Sequence, residues 1–294
     1  MIAQCLAAAH KSVPSDFLIH SMHCYFVLAG NPDVPVIYHV ERIRSGRSFA
    51  TRTVQARQKG KVIFTTTMSF MKEGSGGTKL VEHFRPMPFV PGPEEDSLGS
   101  VLSGDRGPVV SRSIDIWNSG FGNIFRVRAL TDLDYSPYPH SKRYRQWIKA
   151  TGRISDAGGH EVHLAALAYM SDNYFIGTVS RVHKLWRIPA RQDEHKAVKV
   201  DEDVRKVLRV GDDSPSKENK RDAETPPVVS MMVSLDHSIY FHDVKGFRSD
   251  DWIFAEMESP WAGYGRGLVL QRMYTKEGKL IASCVQEVRF SKLR

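Results

Sequence analysis

The sequence predicts an α+β protein made of two tandem copies of one module, each a central helix followed by an antiparallel sheet that can wrap it. Three observations carry this. Short stretches alternate apolar and polar residues between turn signals, an apolar helical segment stands in each half, and the halves match in order at three places. His20-Ser21-Met22 can be laid on His237-Ser238-Ile239, the turn Ser45-Gly46-Arg47-Ser48-Phe49 on residues 262–267, and Lys59-Gly60-Lys61-Val62-Ile63 on Glu277-Gly278-Lys279-Leu280-Ile281. A duplicated module explains the ordered matches.

Residues 2–9 are apolar and alanine-rich and read as a helix. No capping residue or polar first turn precedes them, so the helix is expected to be the remainder of a longer one. Strands follow at 22–28, 36–44, 49–57 and 62–70, with turns at Asn31-Pro32, Ser45-Gly46 and Lys59-Gly60. Residues 85–108 are rich in proline, glycine and acidic side chains, which marks a connector. The expected division is a first module over 1–85, a linker over 86–110 and a second module over 111–294.

In the second module, 124–130 and 145–153 read as strands. Residues 163–170 read as a short helix apolar on nearly every face, expected to be buried all round. Strand pattern resumes at 175–182. Residues 191–224 carry dense mixed charge around Asp212-Asp213-Ser214-Pro215 and read as an insertion loop, too polar to bury a core of its own. Strands at 228–233, 252–258, 267–274 and 280–290 complete the second meander, with a hairpin at Glu277-Gly278-Lys279.

Composition bounds the class. The 294 residues are 41% hydrophobic and 10% aromatic, enough for a proper core, while no apolar run approaches the length of a bilayer span and no signal peptide opens the chain. The expectation is a soluble intracellular protein. Its three cysteines, Cys5, Cys24 and Cys284, lack metal-ligand or redox spacing, and an odd count argues against a disulfide framework. The histidines also lack metal-ligand spacing, so no metal and no cofactor is expected. The net charge of +8 would suit an anionic partner, but the basic residues are spread along the chain without an aromatic-basic motif. No nucleic-acid partner is expected.

Differences between the copies are more telling. Eight residues after Gly278 stands Gln286, whereas eight after Gly60 stands Met68; counting back from the matched histidines, Ser234 corresponds to Phe17. Polar groups on apolar strands cost free energy unless partnered, so two such replacements in one copy fit a duplication that kept one site. Chance polarity at strand ends is the alternative. Other polar residues are weaker candidates. Asp236 and His237 are consecutive on a strand and face opposite ways, so they and His242 read as structural. Ser259 before Pro260 lacks a Gly-x-Ser-x-Gly elbow and reads as a turn serine. Gly263, Gly265 and Gly267 lack the following helix of a phosphate loop and read as sheet curvature.

The runs Val40-Glu41-Arg42-Ile43-Arg44-Ser45-Gly46-Arg47-Ser48-Phe49, Ser234-Leu235-Asp236-His237-Ser238, Glu258-Ser259-Pro260, Arg266-Gly267-Leu268-Val269 and Val285-Gln286-Glu287 resemble the acyl-CoA thioesterase II family, over nearly the whole chain apart from the 191–224 insertion. The resemblance implies a double hotdog fold and hydrolysis of fatty acyl-CoA to free fatty acid and CoA. It also implies a catalytic set: an aspartate at the end of the second module's central helix, a hydroxyl before the Asp-His-Ser run, and a glutamine near the C-terminus. The matching positions are Asp172, in Tyr169-Met170-Ser171-Asp172-Asn173, Ser234 and Gln286. In the family another strand and a Gly-Gly-Gln segment precede the first helix; their loss would leave an unpaired sheet edge and put binding in question. An acyl-CoA-binding or scaffold protein without turnover is therefore the competing expectation.

The expected partner is acyl-CoA, without stable membrane insertion, and a homo-oligomer is expected because hotdog units tend to pair. Peroxisomal members of the family end in Ser-Lys-Leu; here Ser291-Lys292-Leu293 is followed by Arg294, so the expected compartment is peroxisome or cytoplasm.

Overall fold

The structure is a computed structural model that describes residues 1–77, 81–93, 112–117, 125–131, 136–173, 175–183, 185–187 and 228–292. The insertion expected at 191–224 and residues 94–110 of the expected linker lie outside the described residues. The first half begins with α1 (Ile2–His10) and continues through β1 (Phe17–Phe26), β2 (Ile37–Ser45), β3 (Phe49–Gln58) and β4 (Lys61–Lys72). The second contains β5 (Arg112–Trp117), β6 (Phe125–Thr131), β7 (Arg143–Ala150), α2 (Gly159–Met170), α3 (Gly177–Val182), β8 (Trp186–Arg187), β9 (Val228–Ser234), β10 (Asp236–Phe241), β11 (Ile253–Gly263), β12 (Arg266–Thr275) and β13 (Leu280–Lys292).

The strands form one sheet in the order β2-β3-β4-β1-β10-β13-β12-β11-β7-β6-β5, with β9 alongside β13 and the short β8 parallel to β9. The central part of this order is a palindrome under the repeat: β2-β3-β4-β1 runs inward to the middle as β11-β12-β13-β10 does from the other side. Helices α1 and α2 pack against each other, and one core of apolar side chains fills the space between them and the inward face of the sheet. Ile2, Cys5, Leu6 and Ala9 bury one side of α1, the stripe that 3.6-residue periodicity places on a single face.

Arg52 ties the end of α1 to the sheet. Its side chain is 2% exposed, and its guanidinium donates to the Ser12 carbonyl and hydroxyl, to the Arg44 and Thr51 carbonyls and to the Ser45 hydroxyl, at 2.6 to 3.0 Å. A buried cation is tolerated when its donors are satisfied in this way. On the outward face of the second half, Trp147, Phe254 and Tyr274 form a separate cluster with Met87 and Val90, and the Trp147 indole donates to the Pro91 carbonyl at 2.9 Å. The described part of the connector is thus packed against the sheet without being a helix or strand. At the other extreme β2 pairs only with β3 among the described residues, and Ile37 and Ile43 are exposed there.

Two expectations are corrected. The stretch 175–182 is not a strand: residues 177–182 form α3, packed against β11 and β12. Its β-branched residues favour a strand locally, but docking of Val179 over Gly267 overrides the propensity. A Cβ at Gly267 would stand 2.8 Å from a Val179 methyl, so that glycine serves close helix-to-sheet approach. Gly265 instead has φ +71° in the β11–β12 turn beside Tyr264 at φ +53°, a left-handed pair suited to a tight hairpin. The second correction concerns α2. It starts earlier than expected and is not buried all round, since Val162 is 40% and Tyr169 37% exposed.

Candidate active site

The site lies where the end of α2 meets β9, β10 and β13. Helix α2 stops at Met170 because Ser171, Asp172 and Asn173 favour turns over helix; the Ser171 and Asn173 amides close the last turn on the Leu167 and Met170 carbonyls. Asp172 therefore projects just beyond a helix C-terminus, where unsatisfied carbonyls disfavour negative charge. Ser234 is the last residue of β9, paired with Val288. Gln286 is fully buried on β13 opposite Val269 of β12.

The structure brings Asp172, Ser234 and Gln286 together. Nε2 of Gln286 donates to Oδ1 of Asp172 at 2.9 Å and to Oγ of Ser234 at 2.6 Å. On its other side, Oε1 of Gln286 is 3.0 Å from Nδ1 of His237, and Nε2 of His237 is 2.9 Å from Oγ of Ser171. Three residues of the cluster come from segments that the chain places far apart, and the sheet register sets their spacing. Ser234 accepts the glutamine hydrogen bond, which leaves its own hydroxyl proton to offer to a bound molecule.

Electrostatics distinguish the groups. Burial pushes the Asp172 carboxyl above the usual carboxylate range, and the neighbouring His237 and the Gln286 hydrogen bond partly oppose that push. Burial pushes His237 down, which keeps the ring neutral despite Asp172 and the Gln286 contact. A carboxylate made more basic, next to a hydroxyl and an amide held at hydrogen-bond distance, can take a proton from a water and hold it in place.

His237 is the residue that sequence reading set aside, although it stands in the cluster. Period-2 alternation could have found it, because it shares a strand face with Ile239 and Phe241, which are buried. Asp236 faces the other way and accepts from the Glu287 amide at 2.6 Å, and His242 meets Ser283 at 2.9 Å on the exposed side; both brace strands, as expected. Ser259 is buried and donates to the Leu268 carbonyl at 2.9 Å, so its hydroxyl is engaged in the sheet.

Comparison with known proteins places the chain in a family. Residues 1–71 match the family model described as the acyl-CoA thioesterase N-terminal domain, and residues 82–290 the one described as the C-terminal domain. Acyl-coenzyme A thioesterase 8 of Rattus norvegicus is 34% identical over 98% of this chain and 77% of its own length. Peroxisomal acyl-coenzyme A thioester hydrolase 1 of Saccharomyces cerevisiae is 23% identical over 98% of this chain and 83% of its own. Among solved structures, the acyl-CoA thioesterase II TesB2 from Mycobacterium marinum superposes with a TM-score of 0.67 at 26% identity, covering 99% of this chain and 87% of that one. The duplicated helix-and-sheet architecture is accordingly a double hotdog, and the chain belongs to the acyl-CoA thioesterase II family.

Proposed function

We propose that this chain hydrolyses fatty acyl-CoA to free fatty acid and CoA, with Asp172 as general base and Ser234 and Gln286 positioning the attacking water, Ser234 through its remaining hydroxyl proton and Gln286 by orienting Asp172 and Ser234. One observation carries the reading: a single buried amide, that of Gln286, donates to both a base and a hydroxyl, Asp172 and Ser234, at the end of α2. Family membership supports the substrate class. Asp172 takes a proton from the water as its oxygen bonds to the thioester carbon. The tetrahedral oxyanion then collapses, the carbon–sulfur bond breaks, and the proton passes to the CoA sulfur. A thioester carbonyl is electrophilic enough that positioning and polarising one water supplies most of the rate, and no acyl-enzyme is needed.

The test is thiol release from medium- and long-chain acyl-CoA by purified protein. Turnover that depends on Asp172 supports the reading; acyl-CoA binding with no turnover at any chain length would favour the scaffold alternative. We extend the proposal to organisation and place. Two modules, 1–85 and 111–294, joined by 86–110, assemble as a homo-oligomer, and the name of the yeast relative supports a peroxisomal location over the cytoplasm.

A further inference from the structure

His237 is fully buried, and each of its ring nitrogens has one partner. Phe175 meets the ring edge-on, with centroids 5.5 Å apart at 87°, and Cys24 of the first half pairs with it across β1 and β10. The ring is therefore held from all sides and is not itself available to a substrate. Its use follows from the chemistry of the amide beside it.

A glutamine amide has two ends of nearly the same shape, one donating two hydrogen bonds and the other only accepting. Gln286 can serve Asp172 and Ser234 together only if its NH2 faces them, since an amide oxygen turned to the carboxylate would repel it. Ser234 does not decide the matter, because a hydroxyl donates or accepts equally well. The group at the far end decides. A donor there fixes the oxygen, and an acceptor would turn the amide round.

We infer that His237 is the positioning residue of this site: with its proton on Nδ1, it locks the Gln286 amide so that both N–H groups point at Asp172 and Ser234. The tautomer follows from the carboxylate end: Asp172 can only accept, so the Gln286 NH2 faces it and Oε1 is left to accept from Nδ1, while Oγ of Ser171 lies 2.9 Å from Nε2 and 3.0 Å from the Ala168 carbonyl, with one proton to share between them. Since Ser171 immediately precedes Asp172, the contacts close into a ring: Asp172 to Gln286, Gln286 to His237, His237 to Ser171, and Ser171 to Asp172 through the chain. The ring ties the end of α2 to β10 and β13 and fixes the base and the amide relative to each other.

The inference rests on the proposed hydrolysis for its consequence in turnover, and the experiment separates the two. Asn at 237 places an amide nitrogen where Nδ1 stands and can still donate to Gln286; Gln at 237 places its nitrogen where Nε2 stands and leaves Gln286 Oε1 without a donor. Acyl-CoA hydrolysis should survive His237→Asn within several-fold and fall roughly 10²-fold in His237→Gln, in kcat with KM unchanged. His237→Gln should cause no further loss in a Gln286→Ala background. Equal losses in the two variants, or losses that follow melting temperature alone, overturn the inference. Asp172→Asn measured in parallel reports on the hydrolytic reading itself. Nitrogen-15 spectra of histidine-labelled protein, with the 237 signal assigned by its absence in His237→Asn, give a result independent of turnover: Nδ1 protonated and Nε2 bare is expected, and a proton on Nε2 refutes the lock.

Discussion

Met22 and Ile239 are partners across β1 and β10, and the internal repeat maps one onto the other. Residues that are equivalent by duplication and also paired in an antiparallel ladder define a local two-fold axis, so the axis relating the two modules passes between these two side chains. From that axis outward the halves diverge. Counted from the turn glycines Gln286 falls on Met68, but in the ladders Met22 pairs with Met68 whereas Ile239 pairs with Cys284, so the two halves differ in register by two residues at the strand that carries Gln286. His237 faces the core, while its counterpart His20, beside a register shift between Ile19 and Ser21, meets Ser69 at 2.8 Å. The second half has an inward histidine hydrogen-bonded to a buried glutamine, and the first half has His20 against Ser69 instead.

If Gln286 organises the cluster, its removal should cost more than removal of either hydrogen-bonding partner it serves apart from the base. Gln286→Ala is expected to lower kcat roughly 10²- to 10³-fold, the usual effect of losing a preorganised donor, and Ser234→Ala about tenfold, near the worth of one hydrogen bond. Steady-state acyl-CoA kinetics on both variants check the order; a larger effect at Ser234 would point to a nucleophilic hydroxyl instead.

Asp172 is held in the native state with its carboxyl pushed up, so ionising it costs folding stability. The sign follows directly. The unfolded chain ionises at lower pH, and above that point the native state carries the cost, while below it both states are protonated and the cost vanishes. Asp172→Asn should therefore melt at higher temperature than the unsubstituted protein at neutral pH, with the gain shrinking as pH falls toward the ordinary aspartate range. A lower melting temperature at neutral pH would show that Asp172 is net stabilising.

Burial pushes His10, His20, His160, His163, His183, His237 and His242 all downward. These rings stay neutral in the native state where the unfolded chain would protonate them, so the unfolded state binds more protons below the ordinary histidine value of about 6.5. Stability should fall as pH drops through that value. Urea unfolding midpoints at mildly acidic and mildly alkaline pH measure it, and a midpoint that rises on acidification would contradict the assignment.

Gly267→Ala should destabilise by about 1–3 kcal/mol, because the new methyl overlaps Val179 of α3 and β-branched Val179 has little freedom to move aside. Adding Val179→Ala should recover part of the loss. Thermal melts of the two single variants and the double variant form the cycle; simple additivity of the two losses would mean that the helix does not approach the sheet at that glycine.

The meander strands were legible because alternation and turn chemistry agree along residues 17–72 and 253–292, and the hairpin at Gly278 follows from its turn sequence. Residues 177–182 were not, because Thr178, Val179 and Val182 carry a strand preference that only the packing against β11 and β12 reverses. Ser234 and Gln286 could be singled out by comparing the copies, whereas Asp172 needed the family resemblance, since an aspartate after a helix is otherwise an ordinary turn residue. His237 shows the remaining difficulty. Its face could be read from alternation, but its partner depends on the register that aligns β10 with β13, which local sequence does not set.

In the proposed hydrolysis Asp172 is the base. Thiol release from a fatty acyl-CoA by Asp172→Asn, measured beside the unsubstituted protein, tests it most directly. Asparagine preserves size and can still accept the Gln286 hydrogen bond, so folding and substrate binding should persist while kcat falls roughly 10²- to 10⁴-fold, the usual contribution of a general base. Unchanged turnover in Asp172→Asn would contradict the mechanism.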